Sequence, residues 1–194
     1  MNDPLNVTKG LVGRAYYAPL GTTSPTTSTS TWGTGWVNLG LLGEDGLSRA
    51  KEEDREEHTP WGYKSPVRSD ITSATETFTF NCWETNAHTR ALYEAIEVAD
   101  MESNNGDVTY TVSVGGNSKE YMFGFDIIDT KLDKHFRYVL PRAEVTSREE
   151  LTYSQGAIIG YGFTVTAYGS SDDVLLLHMT DALVLPVTPP GGEN

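Results

Sequence analysis

Cys82 and His88 are the first pair to weigh for chemistry, as a thiol with a possible base six residues on. A nucleophilic cysteine needs such a base within hydrogen-bond reach. Cys82, however, falls in the alternating pattern Thr75–Trp83, and His88 falls on the apolar stripe of a helix. A buried thiol and a helix-face histidine are the expected outcome. Asp172, Asp173, His178 and Asp181 carry the oxygen and nitrogen donors of a hard-cation site, but their spacing is not that of an EF-hand and reads as an acidic surface loop. His58, His88, His135 and His178 form no zinc-ligand spacing. The glycines form neither a dinucleotide nor a P-loop motif, and Gly160, Gly162 and Gly169 read as bends around a strand. The expectation is a protein without catalytic residues, cofactor or metal.

Composition narrows the class further. The chain has 194 residues, 27 acidic against 14 basic, with a formal charge of -13. Such acidity opposes tight binding of nucleic acid through its phosphates, and does not exclude a surface past which nucleic acid slides without sticking. One cysteine excludes an internal disulfide framework. No basic stretch followed by an apolar run opens the sequence, so no signal peptide is expected. No apolar run is long enough to span a bilayer, and no membrane binding is expected.

The elements that would position these residues are mostly strands. Residues 1–10 read as an N-terminal arm and 186–194 as a flexible C-terminal tail around a single domain, 1–194. Leu11–Pro19 reads as a strand. Nine of the ten residues Thr22–Thr31 are Ser or Thr, which reads as a loop or peripheral hairpin. Trp36–Leu42 leads to a turn at Gly43–Gly46. Glu44–Glu57 holds seven acidic and three basic residues without apolar periodicity, and Gly43–Ser69 as a whole reads as a long solvated loop. Phe78, Phe80 and Cys82 share one side of the next strand. Thr85 or Asn86 can cap a helix of about three to four turns, on which His88, Leu92, Ala95 and Ala99 form a stripe beside Ala91, Ile96 and Val98. Ser103–Asp107 should end it. Val108–Val114, a turn at Gly115–Asn117, Tyr121–Ile127, Phe136–Thr146 with a bulge or edge at Pro141, Ile159–Val165, Val174–Leu177 and Ala182–Leu185 complete the strands. The predicted fold is mainly β, an antiparallel β-sandwich or barrel with one flanking α-helix. Trp32, Trp36 and Trp61 lie in the least regular part of the chain, either as anchors of loops and subunit contacts or as the lining of a carbohydrate groove.

Several short phrases carry a resemblance. They are Gly13-Arg14-Ala15-Tyr16-Tyr17-Ala18-Pro19, the Ser/Thr-rich passage, Trp36-Val37-Asn38-Leu39-Gly40 leading to Glu44-Asp45-Gly46-Leu47, the Trp61 loop, Phe78-Thr79-Phe80, and Trp83-Glu84-Thr85-Asn86. With the C-terminal strands, the chain resembles the major tail tube proteins of long non-contractile-tailed (siphovirus-type) bacteriophages, particularly of actinobacterial hosts. The resemblance covers nearly the whole length and rests on layout, with no chemically unique motif.

The resemblance implies a virion protein of the phage tail, assembled in the host cytoplasm as homo-hexameric rings that stack into a tube. It implies contacts with tape measure, distal tail and terminator proteins, and transient, non-specific passage of double-stranded DNA. Gly43–Ser69 would reach the adjacent ring through Glu44, Asp45, Arg49, Glu52, Glu53, Asp54 and Trp61. Candidate lumen-facing residues are Thr109, Thr111, Ser113, Glu120, Asp126 and Glu144. Two alternatives are another β-sandwich tail component, such as a minor tail or terminator protein, and a carbohydrate-binding module.

Overall fold

The computed structural model describes residues 7–113, 119–169 and 175–180. Nine strands are present among them: β1 (Val12–Ala18), β2 (Val37–His58), β3 (Arg68–Cys82), β4 (Glu102–Asn104), β5 (Asp107–Thr109), β6 (Glu120–Asp129), β7 (Lys134–Arg148), β8 (Tyr161–Ala167) and β9 (Leu176–Met179). Helix α1 (Ala87–Glu94) and a 3₁₀ turn (Val98–Asp100) follow β3. The large sheet runs β6-β1-β2-β3-β8-β7-β9, and β6 also pairs with β7. That extra pairing closes six antiparallel strands into a barrel and leaves β9 as a seventh strand against the first half of β7. Of the sandwich-or-barrel expectation, the barrel is the form adopted.

Period-two alternation decides what the barrel encloses. Phe78, Phe80, Phe123, Phe125, Phe163, Leu140, Val145, Val165 and Cys82 point inward and are buried. Phe78 stacks on Phe125 at 5.1 Å, and Phe80 meets Phe125 edge-on at 5.2 Å. Each such side chain contributes about 1.5–3 kcal/mol by leaving water. Pro141 sits in a bulge, because Tyr121 pairs with Ala143 but Phe123 with Leu140. The ring that removes an amide from the ladder thus falls where β7 is unpaired.

The outer face of β1, β6 and the first half of β7 is covered by the Ser/Thr-rich segment, a strap between Ala18 and Val37. Trp32 and Trp36 pack on Ala18, Met122 and Val139. Asp126 pairs with Arg137 through two bonds of 2.6 and 3.0 Å, both residues buried. Trp32 Nε1 donates to Asp126 at 2.7 Å, while Arg137 Nη1 donates to the carbonyls of Thr27 and Ser30 at 2.9 and 2.6 Å. The Arg137 guanidinium lies 4.5 Å over the Trp32 ring, which also stacks on Tyr16 at 4.5 Å. His178 Nε2 donates to Pro25 O at 3.0 Å. The strap follows this shape because its carbonyls satisfy a buried cation.

Four sequence expectations change. Gly43–Ser69 is mostly not a loop: β2 and β3 form a long hairpin paired from Leu47↔Phe80 to His58↔Arg68, and only residues 59–67 connect them. Backbone ladder bonds hold this ribbon together without an apolar face, which is the signal that periodicity reads. Gly43–Gly46 is not a chain reversal but a bulge inside β2, between Leu42↔Cys82 and Leu47↔Phe80. Helix α1 runs two turns rather than three or four. Asn86 caps it, accepting from Thr89 N at 2.9 Å, and Ala95 ends it in the left-handed region at φ 56°. Only Leu92, Ala91 and Thr89 are buried on it; Ala95 and Ala99 are exposed and Ile96 is half-buried. The expected strand from Val108 to Val114 is confined to β5, which pairs with β4 around Asn105-Gly106, the point expected to end the helix. The turn at Gly115–Asn117, the strand Ala182–Leu185, the tail 186–194, Asp172, Asp173 and Asp181, and most of the N-terminal arm lie outside the described residues. Lys9 N within that arm bonds Asp129 Oδ2 at 2.9 Å, and Leu11 N bonds Ile128 O at 3.0 Å.

Gly124 lies beneath Trp32, and a Cβ there would overlap the indole ring. Gly124→Ala should displace Trp32 from Asp126 and Arg137 and cost about 1–3 kcal/mol. Chemical denaturation and near-ultraviolet circular dichroism check this; an unchanged tryptophan signal and midpoint would contradict the packing.

Candidate assembly surfaces

The chemistry-bearing residues of the sequence resolve into structure first. Cys82 is wholly buried, and burial pushes its thiol up to about 12. His88 Nδ1 meets the Tyr17 hydroxyl at 2.8 Å, and Tyr17 is itself pushed up to about 12 by burial, with Glu97 adding to the effect. The two residues serve packing. Among the described residues no group of His, Cys, Asp and Glu could hold a metal ion, and no helix is long and apolar enough to cross a membrane. Trp32 offers no open platform for a sugar, its ring being stacked on Tyr16 and overlain by Arg137.

Three surfaces remain. The first is the ribbon formed where β2 and β3 leave the barrel. Arg49 and Glu76 mark the exit: Nε and Nη2 of Arg49 donate to Glu76 at 2.8 and 2.9 Å, and the guanidinium lies 5.5 Å from the Tyr138 ring. The hydrogen bond to Glu76 is the main reason the arginine is held above its ordinary range. Beyond Arg49 the strands project roughly 30 Å at ~3.3 Å per residue. One face carries Lys51, Glu53 and Arg55 in a row, Glu53 accepting from Arg55 at 2.8 Å and lying 3.4 Å from Lys51. Arg55, then Lys51, hold the Glu53 carboxyl below its usual range. The other face carries Glu52, Asp54 and Glu56, Asp54 accepting from Ser73 Oγ at 2.7 Å. Trp61 is wholly exposed in the connection, near exposed Tyr63 and Val67. Glu44 and Asp45 sit apart from the ribbon, exposed on the bulge at the barrel wall.

The second surface is the outer face of β2, β3, β8 and the second half of β7. Glu120, Glu144, Thr166, Thr77 and Ala50 form one cross-strand row over five strands. Ser147, Thr164, Thr79 and Ser48 form the next. Hydroxyls meet between strands, Thr79 with Thr164 at 3.3 Å and Thr146 with Thr166 at 2.8 Å. These rows carry no large apolar side chain and continue onto the Glu52, Asp54, Glu56 face of the ribbon. Arg142, at the edge of this face, is forked onto Glu120 at 2.7 and 2.6 Å.

Of the candidate lumen residues, this surface holds Glu144 and, at its edge, Glu120. Thr109 lies in the separate β4–β5 hairpin, and Thr111 and Ser113 lie on irregular backbone beside it. Asp126 is corrected outright: it is buried under the strap and neutralised by Arg137. Alternation gave its face correctly as the outer one, but could not show that another segment covers that face. Thr77, Thr79 and Thr164 on this face stand outside the sequence candidates, with Thr166 buried among them; their signal is the threonine alternation with the core phenylalanines and valines.

The third surface is a groove of about 780 Å³ beside α1, lined by apolar Leu92, Ile96, Tyr121 and Val145 and by Glu97 and Asp100 among others. Arg148 Nε donates to Leu92 O at 3.1 Å, satisfying a carbonyl at the helix end, and its burial lowers the guanidinium's proton affinity.

The profile of a family described as phage tail tube protein matches residues 1–189. No curated protein matches significantly. Three similar solved structures are low in identity. The cap of the anti-feeding prophage (its tube-terminating cap) is 10% identical with a TM-score of 0.41, covering 92% of this chain and 93% of that one. The sheath–tube complex of an extracellular contractile injection system, PVC, in its extended state is 8% identical at 0.43, covering 89% and 91%. The anti-feeding prophage baseplate is 8% identical at 0.44, covering 91% and 97%.

Three outcomes test the ribbon and the buried thiol. Replacing Glu52–Thr75 by a tight turn should leave the barrel's melting transition nearly unchanged, within about 1 kcal/mol, since the ribbon adds nothing to the phenylalanine core; a collapse of the circular dichroism signal would contradict this. Cys82 should resist a thiol reagent at pH 8 until denaturant is added. Its raised folded value means the stability it contributes is complete below the unfolded thiol value near 9 and is lost as pH rises towards about 12. Cys82→Ser should therefore flatten the first part of an alkaline denaturation curve.

Proposed function

Because this chain belongs to the phage tail tube protein family, we propose that it forms hexameric rings that stack into the tube of a long non-contractile phage tail, through which double-stranded DNA passes. Family membership makes it a structural protein of the virion tail and not an enzyme. The phrases Gly13–Pro19 and Trp36–Leu47 support the siphovirus type and an actinobacterial host. Assembly takes place in the host cytoplasm, with the tape measure, distal tail and terminator proteins as partners at the ends and within the tube.

The observation that carries the conduit reading is the hydroxyl and carboxylate outer face of β2, β3, β8 and β7. A wall past which DNA moves must be wetted and must not hold phosphate. Threonine hydroxyls bonded to one another offer little to a phosphate, and Glu144, Glu52 and Asp54 repel it. The one arginine on the edge of this face is already forked onto Glu120. This face is the lumen wall in our reading, with Glu144 retained from the sequence candidates and Thr77, Thr79 and Thr164 added. The ribbon supplies the contact to the next ring. Its shaft is open along both outer edges beyond the barrel, and an open edge is stable in a soluble protein only when charged or covered.

Electron microscopy of the purified protein should reveal six-fold rings and tubes. Assembled tubes should bind duplex DNA poorly at physiological salt. Tubes carrying Thr77→Lys and Glu144→Lys should retain DNA of any sequence and release it as salt rises. Tight binding by the unmutated tubes, or no retention by the lysine tubes, would overturn the lumen assignment.

A further inference from the structure

Arg142 is out of keeping with the wall whose edge it occupies. Its side chain is exposed, and a guanidinium is the group best matched to phosphate, with its donors set in a planar fork. In a tube that arginine recurs in every subunit, along the whole path of the DNA. Many such contacts, each weak, would add up to retention.

The local backbone decides what this arginine meets. Tyr121 pairs with Ala143 and Phe123 with Leu140, so Pro141 and Arg142 together stand opposite Met122. A bulge of this kind re-aims a side chain. Here the guanidinium is aimed back at β6: Nε and Nη2 donate to the two carboxylate oxygens of Glu120 at 2.7 and 2.6 Å. The Arg142 carbonyl accepts from Tyr168 N at 2.8 Å, which fixes the backbone of the bulge. The fork holds the Glu120 carboxyl below its usual range and the arginine above its own. Glu120 and Glu144 are also direct cross-strand partners, and like charges so placed repel. Arg142 offsets that repulsion, which accounts for a cation beside a wall of hydroxyls and carboxylates.

We propose that Glu120 masks Arg142 from phosphate, holding its fork in an internal pair so that passing DNA finds no cation to bind at this edge. This rests on the lumen reading of the wall and assigns Glu120 a role within it. Glu120 acts through Arg142 and touches no DNA. Exchange of its carboxylate for a phosphate replaces one forked, charge-assisted pair by another. An arginine that the protein already neutralises adds nothing to the release of counterions that drives phosphate binding.

Tubes of three variants separate this mask from a mere loss of negative charge. Glu120→Gln leaves Arg142 without its partner. Glu144→Gln removes the same charge from the same row but frees no arginine, because Arg142 is held by Glu120. At low salt Glu120→Gln tubes should retain duplex DNA about tenfold better than Glu144→Gln tubes, and their log–log salt dependence should steepen by about 0.9 for each phosphate neutralised. Glu120→Gln/Arg142→Gln should return both readings to those of the unmutated tubes. Equal retention by the two single variants, or retention that persists in the double variant, would overturn the mask and leave the lumen reading intact. If Glu120→Gln does not assemble, the double variant decides by itself. Its tubes should bind duplex DNA as the unmutated tubes do across the same salt range, and weaker binding would mean that Arg142 reaches phosphate past Glu120, which overturns the mask. If the Thr77→Lys/Glu144→Lys tubes retain no DNA either, the lumen reading falls and the mask with it.

Discussion

The pairing of β6 with β7 is the constraint on which the rest of the molecule depends. Without it the six strands would form an open sheet with an inside only by convention. With it, the alternation of every strand acquires a fixed meaning, because one set of side chains must fill a closed interior. Phe78, Phe80, Phe123, Phe125 and Phe163 take that interior, and their ring-to-ring contacts fix the register of β3, β6 and β8. A one-residue slip of one of these three strands would send a phenylalanine to water and a polar or small neighbour to the core. Closure also removes the edges that six open strands would expose.

Closure leaves two outer walls, and the protein treats them differently. One is covered by the strap through Asp126, Arg137 and Trp32. Burying an ion pair carries a desolvation cost that is offset only when the remaining donors and acceptors are satisfied. Here the strap supplies that satisfaction: two carbonyls for Arg137, and an indole N–H for Asp126. Charge and strap are therefore interdependent. The second wall is faced with hydroxyls bonded across strands. Pairing between threonines satisfies part of their hydrogen-bonding capacity within the wall itself.

The two ends of the barrel differ as well. One extends into a ribbon whose strands hold together by backbone pairing and local ion pairs, with an exposed tryptophan at its tip. The other is covered by a short helix that two turns of hydrogen bonding alone would not sustain. Leu92 in the core, Asn86 at one terminus and Arg148 at the other hold it there. A body with a projecting tip at one end and a recess at the other has a direction. Directional subunits joined by unlike surfaces grow in one dimension, consistent with a family whose members build tubes.

The sequence by itself determined the strand-rich class, the inward phenylalanines, a bulge or edge at Pro141, a helix start capped by Thr85 or Asn86 and the absence of catalytic motifs. These follow from local rules: alternation, the missing amide of proline, and a side chain that accepts an amide bond. It also carried enough layout to point to the tail tube family without a single chemically unique residue. Tertiary structure decided what local rules cannot reach. The segment Glu44–Glu57 has no apolar face, so periodicity assigned it to a loop, whereas pairing with Arg68–Phe80 makes it a strand. Asp126 alternates as an outer, polar position, yet the strap, distant in sequence, buries it against Arg137. Whether an outer face meets water or another segment depends on contacts between residues more than a hundred positions apart. No pattern within one strand contains that information, and only the closed fold supplies it.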